Sequence, residues 1–333
     1  DTEIVRTSLK TIFSNVRDDG LLPLRVGEKI FLAKFLGLNQ WLPTPQGPTY
    51  IEDKYVSTAM DSNPLSITLF ANYIKQSGDT VFLHIYFEAL VSSFKWMIQQ
   101  LDSDYLTAEG PYGGWADSIR RIGKVLYTNV LVVNACEAMQ YLAQQAKRDD
   151  IVDLATGFIT PIREAIQTQF WNGEFFDDWI RADGTRPTHF AVDGNTFAIY
   201  FNVATDTQKE QIIQYMEKTG LFLAPLVPVN APDLAGKDIY TPFRFLGLAD
   251  YHGSLHWLWL SCMDVMAQSS AGHHERAMQR LVAIAKKILE FDGVYEVYEP
   301  TGKPVQRWCY QSERTFAWSS GMFLWALGEL KDE

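Results

Sequence analysis

Gly113-Gly114-Trp115-Ala116-Asp117-Ser118 sets an acid in a loop rich in Gly and Trp, between two long helical segments. On either side, over 79–101 and 124–146, apolar residues recur three and four apart, the spacing of one helix face. Working outward, the same periodicity predicts helices over 2–17, 59–77, 149–171, 191–204, 206–219, 251–269, 273–291 and 315–331. Asp79 and Asp206 stand where a short side-chain oxygen caps a first turn. Gly20, Gly78 and Gly220 stand where a left-handed residue ends a helix. Phe175-Phe176-Asp177-Asp178-Trp179 reads as a short strand.

The connections alternate in length. Very short links join 59–77 to 79–101, 124–146 to 149–171, and 191–204 to 206–219, whereas long segments fill 18–58, 102–123, 172–190, 220–250 and 292–314. Helical hairpins arranged in a ring have this pattern, with the long loops gathered at one end as the walls of a pocket. The expected fold class is all-α, a toroid of helical hairpins, as a single domain over 1–333. Residues 27–58, with Pro43, Pro45 and Pro48, are the least regular stretch, and loops that long are often functional.

A chain of 333 residues with 47% hydrophobic content can bury a large core. Its formal net charge of −11 argues against nucleic acid, whose phosphates call for clustered Lys and Arg. No run of 18 apolar residues appears, so no membrane span is expected. Cys136, Cys262 and Cys309 are odd in number and lack metal-type spacing, which argues against a disulfide framework and leans towards a reducing, cytoplasmic compartment. The chain opens at Asp1 without an initiator Met or a signal-like segment. A processed or excerpted chain is expected, with other segments of a larger polypeptide as partners.

Far downstream, Tyr295-Glu296-Val297-Tyr298-Glu299-Pro300-Thr301-Gly302 again sets carboxylates among aromatics in an interhelical loop. Two such loops suit glycoside hydrolysis, which needs one carboxyl group as acid and another as base or nucleophile. Aromatic walls stack on sugar rings and raise a carboxyl pKa by desolvation. The 20 Phe, 15 Tyr and 10 Trp supply them, although core packing accounts for most.

Several motifs carry a resemblance to a known family. Trp115-Ala116-Asp117-Ser118 is followed by Gly123-Lys124-Val125-Leu126-Tyr127-Thr128-Asn129. Further on come Phe170-Trp171-Asn172-Gly173-Glu174-Phe175, Asp193-Gly194-Asn195 and Tyr251-His252-Gly253-Ser254-Leu255-His256-Trp257-Leu258-Trp259. Glu296-Val297-Tyr298-Glu299-Pro300-Thr301-Gly302 and Phe316-Ala317-Trp318-Ser319 complete the series. In this order, from about residue 2 to 330, they resemble the six-hairpin (α/α)6 glycosidases. Most similar are the glycogen-debranching (amylo-α-1,6-glucosidase) C-terminal domain and the mannosylglycerate hydrolase and processing glucosidase families. Leu258 stands where that group usually has Pro. Such families have twelve helices and ten are read here. The resemblance places the shortfall at the first hairpin, so either part of 25–58 is helical or that hairpin lies outside this chain.

The resemblance implies an inverting hydrolase of an α-glucoside-like bond in an oligosaccharide or glycoside. Asp117 would be its general acid and Glu296 its general base. It further implies Lys124, Asn129, Tyr251, His252 and Trp257 as substrate contacts. Trp115 joins them as a pocket wall. Trp308, in a loop with Arg307 and Tyr310, is the strongest candidate for a sugar platform. No metal or cofactor is called for: His252 and His256 lie four apart without a further ligand in a His-Glu-x-x-His pattern.

Blander readings stand beside these. Asp117 also has the setting of a helix cap or of a partner for Arg120 or Arg121, which would lower its pKa. Glu299, three residues from Glu296, and Glu313 are rival bases. Asp61-Ser62-Asn63 and Asp177-Asp178 read equally as sugar contacts or as turn residues. Other functions on the same scaffold are a rhamnosidase-like hydrolase, a disaccharide phosphorylase and a non-catalytic carbohydrate-binding domain of a larger protein.

Overall fold

A computed structural model describes residues 2–28, 46–50, 57–232, 234 and 236–331. Among them lie eleven α-helices and short strands of two to four residues. All ten expected helices are present. They run over Thr2–Phe13 (α1), Ser62–Ser77 (α2), Thr80–Gln99 (α3), Leu126–Gln145 (α4), Asp149–Phe170 (α5), Val192–Tyr200 (α6) and Asp206–Lys218 (α7). A short helix at Thr241–Phe245 (α8) was not expected; after it come Leu258–Ser270 (α9), His274–Glu290 (α10) and Ala317–Glu329 (α11). The question of a first hairpin in 25–58 falls largely on 29–45 and 51–56, outside the described residues. Arg25–Glu28 pairs antiparallel with Gln46–Thr49.

The chain packs as two compact units. The first holds 1–115 and 131–165. Its aromatic core runs from Phe13 through Phe70 to Phe82, with centroids 5.3 Å apart at each step. Asp79 caps α3 by accepting from the Phe82 N–H, as expected. By length and composition α3 is apolar enough to cross a membrane. Here Leu83, Phe87, Leu90, Phe94 and Met97, spaced three and four apart, form a buried stripe along it. Asn63 is fully buried and cross-links Leu22, Gly20 and Ser93 through their backbones, so Asp61-Ser62-Asn63 opens a helix around a structural asparagine.

The second unit holds 116–130 and 166–333, and its axis is α9. Residues Leu258 to Ser269 are all buried, and α6, α10 and α11 pack around them. A helix enclosed on all sides has no polar face to spare. Its one acid, Asp264, is satisfied by Arg280 Nε and Gln268 Nε2, each at 2.9 Å. Trp259 stacks on Trp318 at 4.5 Å, tying α9 to α11.

Two expectations are corrected here. The cap of α7 is Thr205, not Asp206: Thr205 and Gln208 form a reciprocal capping box, and Asp206 is the first helical residue. Residues 251–257 are not helical. They form turns and the strand His256–Trp257, which pairs antiparallel with Val297–Tyr298. The apolar spacing of 251–257 mimics a helix face, but Gly253-Ser254 and this long-range pairing override it. His252 and His256 therefore do not share a helix face.

Candidate active site

The loop 116–121 is fixed from several directions within the second unit. Its backbone is tied to 236–240: Tyr240 N–H donates to Ser118 O at 2.8 Å, and Arg120 N–H donates to Asp238 O at 2.7 Å. Ser118 Oγ lies 2.7 Å from His252 Nδ1. Arg121 is buried and donates from Nη1 and Nη2 to Asp193 Oδ2 at 3.1 Å, with Asp178 Oδ1 at 3.5 Å from Nη1. His189 bonds the other oxygen of Asp178 at 2.7 Å. Burial alone would raise the Asp178 pKa, but Arg121 and His189 outweigh it and hold the group below the usual carboxylate range. Asp177 pairs with Arg186, so Asp177-Asp178 serves as an anchor for this region.

Two glycines of the resemblance motifs are sterically demanded. Gly123 has φ +130°, and a Cβ there would sit 2.1 Å from Ile180 O, across the pairing of Gly123–Val125 with Trp179–Ile180. A Cβ at Gly194 would lie 2.7 Å from the Leu126 side chain, where α6 meets the start of α4.

Asp117 projects from this fixed loop. Arg121 is committed to Asp193 and Asp178, and Asp117 heads no helix, so neither bland reading of the acid holds among the described residues. Its pKa is raised from 3.8 to about 6, first by burial and second by the charge of Glu296. Asp117 is nevertheless exposed to solvent.

Glu296 precedes the strand 297–298 and is half-buried. Tyr251 Oη donates to Glu296 Oε1 at 3.0 Å, and Tyr310 Oη donates to Oε2. The two phenol rings meet edge to face at 5.4 Å. The Glu296 pKa is raised: burial, helped by Glu313, outweighs the Tyr310 and Tyr251 hydrogen bonds that favour the ionised form. Burial and the Glu296 charge hold both phenols well above their usual pKa, so they remain donors.

Glu299 faces a different partner. Arg307 donates to both its oxygens at 3.0 Å and also grips Asp250. Glu313 is exposed and accepts the Glu296 N–H through its backbone carbonyl.

The other expected contacts divide. Tyr251, His252 and Trp257 form one aromatic cluster: Tyr251 meets His252 edge to face at 4.7 Å, and His252 stacks on Trp257 at 5.0 Å. Burial, then Arg121, pushes the His252 pKa well below its usual value, so the ring is neutral. Trp257 is only 3% exposed and donates to Tyr251 O, so it backs the cluster. Trp308 is 83% exposed, at the tip of the hairpin Gln306–Arg307/Tyr310–Gln311. Trp115 and Lys124 are half-buried. Asn129 is fully buried and donates to Val125 O at 2.8 Å, inside the protein. Tyr310 is a partner of Glu296 that the sequence reading misses, and its only signal there is its place in the loop with Trp308.

The molecule shares its fold with glycoside hydrolases. GH63 mannosylglycerate hydrolase from Thermus thermophilus, solved with Tris, matches at TM-score 0.72 and 15% identity, over 100% of this chain and 89% of that one. A rhamnosidase from Klebsiella oxytoca with rhamnose bound matches at TM-score 0.65 and 13% identity, over 97% of this chain and 53% of that one. A GH78 rhamnosidase of Bacillus sp. GL1 matches at TM-score 0.68 and 17% identity, over 98% of this chain and 30% of that one. No curated protein matches in sequence. The expected all-α, (α/α)6-toroid class is borne out. The chain belongs to the amylo-alpha-1,6-glucosidase family, whose profile matches residues 50–325, and it is a glycoside hydrolase.

Proposed function

We propose that the protein hydrolyses an α-glucoside-like bond with inversion, with Asp117 as general acid and Glu296 as general base. The observation that carries this reading is a difference in hydrogen bonding between two electrostatically linked carboxyl groups, both of which burial raises above their usual pKa. Asp117 lacks an ion-pair partner among the described residues, and its proton is held to about pH 6 by burial and by the Glu296 charge. Glu296 receives two phenol donors, which favour its ionised form. An acid protonates the departing oxygen while a base takes a proton from water, so a split of this kind is what the chemistry needs. Inversion further requires the two groups to stand roughly 6.5–9.5 Å apart, leaving room for the water.

Glu299 and Glu313 are set aside as bases. The first is neutralised by Arg307, and the side chain of the second receives none of the phenol donors that favour an ionised base. Within the second unit, Tyr251, His252, Trp308 and Lys124 remain the proposed sugar contacts, with Trp257 behind them. Asn129 leaves the set, because its amide is buried on Val125. The α-glucoside preference rests on the family description, and the rhamnosidase neighbours make a rhamnoside the second substrate to try. A phosphorylase needs clustered cations near the base, yet Arg307 is committed to Asp250 and Glu299 and Arg314 to Asp292, which leaves Lys303 alone in that loop.

The test is release of sugar from a panel of alkyl α-glycosides, whose departing oxygen needs a proton, with and without phosphate, by wild type, Asp117→Asn and Glu296→Gln. Wild-type hydrolysis independent of phosphate is expected, with fresh β-anomeric glucose by NMR. Phosphate-dependent turnover, α-anomeric product, or full activity in either variant would contradict the proposal.

A further inference from the structure

Arg307 occupies an unusual position relative to Glu296. A guanidinium has five N–H donors in a fixed fork. All five can be assigned here. Nε and Nη2 donate to Glu299 Oε1 and Oε2 at 3.0 Å each. Nη1 and Nη2 donate to Asp250 Oδ1 and Oδ2 at 2.6 and 2.7 Å, and Nη1 also donates to Gly247 O at 2.8 Å. No donor is left for a sugar or a phosphate.

The partners of this fork are the neighbours of the three residues that make the Glu296 cluster. Asp250 immediately precedes Tyr251 and accepts at its carbonyl from Gly253 and Leu255, closing the turn that presents Tyr251. Glu299 follows Glu296 by three residues and closes the turn to Lys303. Arg307 itself precedes Tyr310 by three residues on the hairpin that delivers the second phenol. One side chain thus ties together the segments that carry the carboxylate and both of its donors.

We propose that Arg307 is the positioning residue of the base: by clamping Asp250 and Glu299 it holds the Tyr251 and Tyr310 hydroxyls on the Glu296 carboxylate. This rests on the reading of Glu296 as the base. The Arg307 bonds go to Glu299, Asp250 and Gly247 and not to Glu296 itself, so its influence runs through geometry. The groups that do face Glu296 are Tyr310, Tyr251 and Glu313, with Asp117 coupled to it across the site. His256, on the strand paired with 297–298, is held neutral above about 4 by burial.

The experiment is a carboxyl 13C NMR titration of protein labelled at Glu, with Glu296→Gln assigning the resonance. In Arg307→Met the Glu296 pKa is expected to rise by about one unit, the size of a lost hydrogen-bond contribution. In a Tyr251→Phe/Tyr310→Phe background the same change is expected to add nothing. Asp250→Asn, a milder loosening of the clamp, is expected to shift Glu296 less in the same direction, and it serves if Arg307→Met fails to fold. In the active enzyme the acid limb of kcat/KM moves with the NMR value while KM changes little. An unchanged Glu296 pKa beside a lowered Tm would reduce Arg307 to a structural role, and an equal shift in both backgrounds would mean that its charge acts directly. Either result overturns the proposal. Full activity in Glu296→Gln would instead remove the base assignment while leaving the titration result standing.

Discussion

Arg307 binds Glu299 through two hydrogen bonds of 3.0 Å, which separates Glu299 chemically from Glu296 three residues earlier. The two glutamates share a loop, and their sequence context makes them rivals. One is neutralised in an ion pair, and the other carries only neutral donors.

The two substitutions are therefore expected to fail differently. Glu299→Gln loses part of a half-buried charge-assisted pair and costs about 1–3 kcal/mol of stability. Glu296→Gln lowers kcat by about a hundred- to ten-thousandfold with little loss of stability. Denaturant unfolding and steady-state kinetics on the same preparations check both. A Glu299→Gln enzyme that folds normally and loses all activity contradicts the assignment.

A bell-shaped pH–activity curve is expected. Its alkaline limb reports loss of the Asp117 proton at about 6, and its acid limb reports protonation of Glu296. Tyr251→Phe removes a donor to the ionised carboxylate, so the Glu296 pKa rises and the acid limb moves to higher pH. The alkaline limb follows Asp117 and moves little. Initial rates across the acid-to-neutral range check this, and an acid limb that stays in place contradicts the role given to the phenol.

Asp117→Asn has a stability signature of opposite sense to most active-site losses. The folded protein holds the Asp117 pKa at about 6 against 3.8 for an ordinary Asp, so the charged form is disfavoured in the fold. Above about pH 6 wild type carries that unfavourable charge and Asn does not, so Asn raises Tm. As pH falls through 6 towards 3.8 the advantage fades, because wild type becomes neutral as well. Thermal unfolding at about pH 7.5 and about pH 4 measures the difference, and an equal effect at both contradicts the raised pKa.

Trp308 is 83% exposed, so Trp308→Ala is expected to leave stability within about 0.5 kcal/mol. A stacking role predicts a KM rise of roughly three- to tenfold, matching about 0.5–1.5 kcal/mol of aromatic contact. Kinetics on short and long substrates check it, and an unchanged KM on all of them removes Trp308 from the site.

The helices are legible because they are long and strongly periodic. Even the short link between α2 and α3 can be read from Gly78-Asp79, and the end of α7 from Gly220. Residues 251–257 mislead because their partner strand at 297–298 is some forty residues away, and no local pattern announces it. Thr205-x-x-Gln208 does announce the capping box, but Asp206 beside it is an equally good cap by residue type. The proposed acid and base, Asp117 and Glu296, are singled out by the order of motifs. Tyr310 is not, because its contact with Glu296 depends on how a two-residue turn folds back. Asn129 comes from a motif in which a buried structural asparagine and a sugar ligand look alike.

The division of labour between the two carboxyl groups is tested most directly by leaving-group dependence. Rates are measured on a dinitrophenyl glycoside, whose departing oxygen needs no proton, and on a methyl glycoside, whose departing oxygen does. Asp117→Asn is expected to retain most of its rate on the first and almost none on the second, while Glu296→Gln fails on both. Equal losses on both substrates in Asp117→Asn, or a selective loss in Glu296→Gln, would contradict the assignment of acid and base.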